Sequence, residues 1–275
     1  YYFCLREQQQ FYMIKLLYCF FASIVLASCA GSYNIEGSSN VSMLDGHKLY
    51  LKVLKDDAIK NIDSCDIVHG KFSFVGNVDT TRVANVYMDD DIIMPVVLED
   101  GDIVVKIDNT QHTIGGTPLN DKLYEFLKTF SQLQNDKIEL VHKQNQAYMN
   151  GSDMDAVNRS LMEQDAIKKK KMDNLITTFI ESNFDNVLGP YIFQMATADY
   201  KYPMFEPWIE AILSKATDKF KNDKYVKEYV SAAQRNQDIM NGMADNEPQM
   251  SAPDTGKGSP TAPPTPSELA SDSIK

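Results

Sequence analysis

Lys48-Leu49-Tyr50-Leu51-Lys52-Val53-Leu54 sets Leu49, Leu51 and Val53 in alternation with Tyr50, Lys52 and Leu54. A side-chain period of two is the signature of a β-strand with one face turned inward. The same beat returns at Phe72 and Phe74, which alternate with Lys71 and Ser73. Asp45-Gly46, His69-Gly70 and Asp100-Gly101 fall between such runs. Glycine accepts positive φ at these points, so the pairs mark tight turns. Further runs over Val83 to Met88, Met94 to Leu98 and Ile103 to Ile107 bring the total between Tyr33 and Ile114 to about seven or eight short strands. That number and spacing predict an antiparallel β-sandwich or a partly open barrel.

After Gly115-Gly116 the period lengthens to that of a helix. Thr117 stands where a cap is expected, Pro118 occupies the first helical position, and Leu119, Leu123, Phe126, Leu127, Phe130 and Leu133 form one apolar stripe. Further helices are expected over roughly Asp153 to Glu181, Val187 to Met195, Glu206 to Ala216 and Lys224 to Gln237. In the last of these, Tyr225, Val226, Tyr229 and Val230 make a core stripe. From Asp245 onward Pro, Ser, Thr and Gly dominate, a composition that buries too little surface to offset its ordering entropy. The fold class is therefore α+β, with an all-β domain over residues 29–116, a helical region over 117–244 and a disordered tail over 245–275.

The chain has 275 residues, 43% of them hydrophobic, and a formal charge of −11. An acidic protein of this kind is a poor partner for nucleic acid, which is held by clustered cations. The cysteines are Cys4, Cys19, Cys29 and Cys65, and none is paired at the short spacing of a zinc site or a dithiol.

Met13-Ile-Lys15 precedes an apolar run from Leu16 to Leu26, about eleven residues, which suits a signal peptide and is too short to span a bilayer. Met13 is read as the translation start, with residues 1–12 upstream of it. The run ends in Leu26-Ala27-Ser28-Cys29, which resembles the bacterial lipobox. Cleavage is expected between Ser28 and Cys29, with lipid, palmitate included, attached through Cys29. The expected location is the cell envelope, anchored to the outer membrane and facing the periplasm or the cell surface.

Several stretches in order resemble the domain of unknown function 4369 family of envelope lipoproteins. They are Tyr33-Asn34-Ile35-Glu36-Gly37, Lys48-Leu49-Tyr50-Leu51, Ile62-Asp63-Ser64 and Gly70-Lys71-Phe72-Ser73-Phe74-Val75-Gly76. Leu98-Glu99-Asp100-Gly101-Asp102-Ile103, Gly115-Gly116-Thr117-Pro118-Leu119-Asn120-Asp121, Asn183 and Gly189-Pro190 complete the set. In that family a thioredoxin-like domain with a Cys-x-x-Cys pair often follows. Here a Pro-rich stretch stands where that domain would begin, and the second cysteine is absent. The resemblance implies a periplasm-facing or surface lipoprotein of unassigned role.

Cys65 has no cation beside it in sequence to activate the thiol, so a buried structural cysteine is expected. Asp89-Asp90-Asp91 lacks the spacing of a calcium loop and reads as a solvated hairpin tip. His47, His69, His112 and His142 show no spacing that sets two imidazoles on one helix face, so no metal site is assigned. There is no nucleophile elbow and no phosphate loop, so neither a hydrolase nor a nucleotide site is assigned, and no cofactor is called for. Lys168 to Lys171 read as a polar helix face, and Trp208 as a core anchor. Asp79-Thr80-Thr81 and Asp272-Ser273-Ile274 resemble an O-glycosylation sequon, with Thr80 and Ser273 as acceptors. The function expected is a non-enzymatic binding or scaffold module for an envelope protein or glycan. The alternative is an accessory of a thioredoxin-like or peroxiredoxin-like thiol-disulfide pathway.

Overall fold

The computed structural model describes residues 31–55 and 58–243. Its strands are β1 (Gly31–Ser39), β2 (Lys48–Lys55), β3 (Ala58–Asp66), β4 (Lys71–Val78), β5 (Arg82–Met88), β6 (Asp91–Leu98), β7 (Gly101–Ile107) and β8 (Thr113–Gly115). The helices that follow are α1 (Pro118–Met149), α2 (Met154–Glu181), α3 (Leu188–Thr197), α4 (Pro207–Lys215), α5 (Asp218–Lys221) and α6 (Lys224–Met240).

The strands form two sheets of four, in the orders β4-β1-β7-β8 and β3-β2-β5-β6. The alternation read from Leu49 onward decides what lies between them. Leu49, Leu51 and Val53 are buried against Ile35, Phe74, Ile103 and Val105 of the other sheet. The result is a sandwich within an α+β fold, and the barrel does not close. One pairing departs from the antiparallel expectation, because β1 and β7 run parallel, with Ile35 beside Ile103. The link at Glu99 and Asp100 carries the chain from one sheet to the other, so β7 arrives beside β1 in the same direction. Side-chain period reports which face is buried and is silent on strand direction.

The β1–β4 pair carries a reciprocal arrangement. Tyr33 is paired with Gly76, and Gly37 with Phe72. A Cβ added at Gly37 would lie 2.0 Å from the Phe72 ring, and one at Gly76 would lie 2.5 Å from the Tyr33 hydroxyl. Each aromatic ring therefore lies flat over the glycine of the facing strand, the arrangement by which aromatics cover strand glycines.

The helices cover the β5–β6 part of the second sheet's outer face, while Leu54 and Ile59 on β2 and β3 stay exposed. Val83 and Val97, on that face, pack with Leu123, Phe126, Leu188 and Ile192. Phe193 centres this layer, with ring centroids of Tyr229, Phe220 and Trp208 at 5.2, 5.7 and 6.2 Å. Such aromatic contacts add about 0.5–1.5 kcal/mol beyond the area buried. The helices lie close to the sequence expectation, with the last one running on to Met240 and a one-turn helix, α5, that sequence did not signal.

Thr117 does not cap α1 in the expected manner. Its side chain bonds no backbone N–H of the helix. Glu99 Oε1 accepts from Leu119 N (2.7 Å) and Asn120 N (3.2 Å) instead. A carboxylate from another segment thus fills the positive end of the helix, where an anion is favoured.

Candidate functional site

The motif residues near Asp100 and Gly116 converge on one corner. Asn120 is buried there. Its Oδ1 accepts from Val97 N at 2.8 Å, and its Nδ2 donates to Val97 O and Thr117 Oγ1, both at 2.8 Å. β6 is an edge strand, and the amide supplies the donor and acceptor that a further strand would. Asp121 Oδ1 accepts from Gly116 N, Asp100 Oδ1 from Ser32 N, and Asp102 Oδ1 from Asn34 Nδ2. Gly116 has φ 98°, and a Cβ there would lie 2.5 Å from Asp102 O. These polar side chains satisfy each other and the backbone, so the corner is a joint between sandwich and helices.

Among the described residues nothing covers the middle of the outer face of the first sheet. Its rows run Val75–Asn34–Asp102, then Ser73–Glu36–Val104–Gly115, then Lys71–Ser38–Lys106–Thr113. Val75 and Val104 are 66% and 44% exposed at its middle. The face ends in a groove of about 600 Å³ lined by Glu36, Gly37, Cys65, Lys71, Phe72 and Lys106. Sequence reading missed this grouping, because β7 comes beside β1 and β4 only through the parallel pair.

Cys65 stands at the end of that groove on β3, an edge strand with mostly exposed residues. It is half-buried where full burial was expected. β3 is the edge strand of its sheet, paired only with β2, so Cys65 packs beside Leu49 at the rim of the core and keeps its other side open. Burial pushes the thiol up to about 11, helped by the Asp63 and Asp66 carboxylates and opposed by the Ser73 N–H and Lys48. At neutral pH the group is a thiol, a poor nucleophile.

Asp89 and Asp90 form the exposed tip of the β5–β6 hairpin, with Asp89 at φ 54°. His47, His69 and His142 are exposed. His112 is half-buried, its Nδ1 without a hydrogen-bond partner among the described residues, and burial holds its pKa below the ordinary value while Asp108 pulls the other way. Lys168 ties α2 to α1 through Asp136 at 2.8 Å. Trp208 packs beside Phe193 and donates to Glu206 Oε2 at 3.1 Å. Among the described residues no group of His, Cys, Asp and Glu is arranged to hold a metal, and no helix is long and apolar enough to cross a membrane.

Thr80 is exposed in the turn after β4, with Arg82 donating to its Oγ1 at 3.2 Å. Ser28, Cys29 and Ser273, with the Met13 start and the tail, lie outside the described residues.

The family described as Domain of unknown function (DUF4369) matches residues 33–123. The match lies in the N-terminal region of the chain and ends just past the Asn120 joint. No curated protein and no solved structure matches the chain.

Proposed function

We propose that this chain is a lipoprotein of the cell envelope, held on the outer membrane through Cys29, that binds an envelope protein or glycan and carries out no chemistry of its own. The observation that supports the binding reading is the bare outer face of the first sheet. The two inner faces are buried against each other and the helices cover the β5–β6 part of the second sheet's outer face, whereas the outer face of the first sheet leaves Val75 and Val104 exposed among Lys71, Lys106 and Glu36. Apolar centres ringed by charge are how protein surfaces receive partners. The raised pKa of Cys65 weighs against the thiol-disulfide reading, since exchange needs a thiolate and a second, resolving cysteine. Exposure of Thr80 suits its role as a glycan acceptor.

Two experiments test the reading. Detergent phase partitioning of Cys29→Ala should move the protein to the aqueous phase; a variant that stays with detergent overturns the anchor. Affinity capture from solubilised membranes should recover a partner that a Val75→Asp/Val104→Asp variant fails to hold. A partner retained equally by both places binding elsewhere.

A further inference from the structure

α1 and α2 form an antiparallel hairpin far longer than the sandwich needs. Leu123 and Phe126 near one end of α1, and Ile180 near the end of α2, join the helical core. The remainder projects as an arm of two helices. Along one side of it runs a groove of about 690 Å³ whose apolar lining is Ile138, Val141, Leu161, Met162 and Ala166. Ile138, Val141 and Met162 are 46%, 56% and 72% exposed. The hairpin therefore leaves apolar residues that its own two helices do not cover, and pairing with a second hairpin into a four-helix bundle is a common solution.

We propose that the occupant is a second copy of this chain, its arm laid antiparallel on the first with Met162 beside the two-fold axis. The charges along α2 carry the choice. Asp155 lies seven positions before Met162, and Lys169 seven positions after it. At 100° per residue both fall within about 20° of Met162 on the helix surface, and each is about 10.5 Å from it along the axis. A two-fold rotation that stacks α2 on its mate therefore brings Asp155 of each copy against Lys169 of the other, twice. Asn158 and Asp165, both on the groove side and near-equal distances from Met162, meet in the same way, amide to carboxylate. In a two-fold interface each contact is made twice from one patch, so the patch must complement itself.

The face from Asp155 to Lys169 is about 21 Å long and two helix diameters wide, roughly 400 Å² in projection. This is at the small end for specific interfaces, so dissociation in the micromolar range is expected.

The test is sedimentation velocity of the full chain in mild detergent across about 1–200 μM. Wild type should be a concentration-dependent dimer. Met162→Lys should weaken it about tenfold or more, and Asp155→Lys or Lys169→Asp severalfold each, with unchanged thermal melts because all three residues are exposed. The decisive variant combines Asp155→Lys with Lys169→Asp, which restores both opposite-charge contacts and should recover most of the wild-type affinity. A photo-crosslinking residue at 162 should join two copies, and one at Ile167, 58% exposed on the other side of α2, should not. A chain that stays monomeric, a dimer that ignores Met162→Lys, or a charge exchange without recovery would overturn the proposal.

Discussion

Asn120→Leu is expected to cost the fold far more than a change of similar volume should. The substitution removes three hydrogen bonds, two to Val97 and one to Thr117. Leu119 and Leu123 on α1 stay packed over the β6 edge, so water does not reach the Val97 N–H and C=O once the amide is gone. Each orphaned group costs about 1–3 kcal/mol. Extra apolar burial by leucine offsets about 1 kcal/mol, which leaves a net loss of about 3 kcal/mol. For a domain of 150–250 residues that corresponds to a fall in Tm of roughly 6–12 °C. Urea unfolding followed by far-UV circular dichroism measures the loss, with calorimetry giving the Tm. Asn120→Asp sharpens the test: it keeps an acceptor for Val97 N but turns a second oxygen toward Val97 O, so it should be destabilised most at neutral pH and recover as the carboxyl protonates. A loss below 1 kcal/mol for the leucine variant would refute the argument that the amide stands in for a strand.

Gly37→Ala should destabilise by about 1–3 kcal/mol, because its Cβ would overlap the Phe72 ring; adding Phe72→Leu should return part of the loss in the same unfolding assay, and a neutral Gly37→Ala would contradict the packing. Cys65 should resist iodoacetamide at pH 7.5 and gain reactivity with a midpoint near 11, whereas alkylation at the rate of a free peptide thiol would argue for a more open site. For His112 the folded state prefers the neutral ring, so the unfolded chain takes up the proton first as pH falls. Stability should therefore decline on acidification from about pH 6.5 down through the depressed folded value. His112→Asn should flatten that part of the profile in urea titrations, and an unchanged slope would show that other groups govern it.

Much of the fold is written in local pattern. The alternation at Leu49, Leu51 and Val53 places those side chains between the sheets, and the positive φ values at Gly46, Gly70 and Gly101 sit at the turns that Asp-Gly and His-Gly mark. What pattern does not carry is partnership between distant segments. The parallel β1–β7 pair, the Glu99 cap on α1 and the hold of Asn120 on Val97 each join residues tens of positions apart in sequence, and none has a periodic signature. The bare face of the first sheet was hidden for the same reason, since Lys71, Ser38 and Lys106 become a row only when β1 lies between β4 and β7. Cys65, expected inside, lies on the core side beside Leu49, but β3 is an edge strand with one flank open, so the thiol is only half-buried. The helical period gave α1 its stripe through Leu133 and α2 its span over Asp153 to Glu181, but neither the run of α1 on to Met149 nor the exposure of the arm, because an apolar stripe says that a face wants cover and not what covers it.

The side-chain amide of Asn120 makes the sandwich and the helices one unit of inheritance. A gene fragment ending at Gly116, where composition changes, would encode every strand and still leave β6 with a raw hydrogen-bonding margin, open to the strands of its neighbours. Carrying the reading frame a few codons further, past Asn120, brings along the chemical group that seals that margin. Recombination that moves this domain among longer proteins would be expected to preserve the junction together with the strands, and the region matched by the family, closing at residue 123, runs through it.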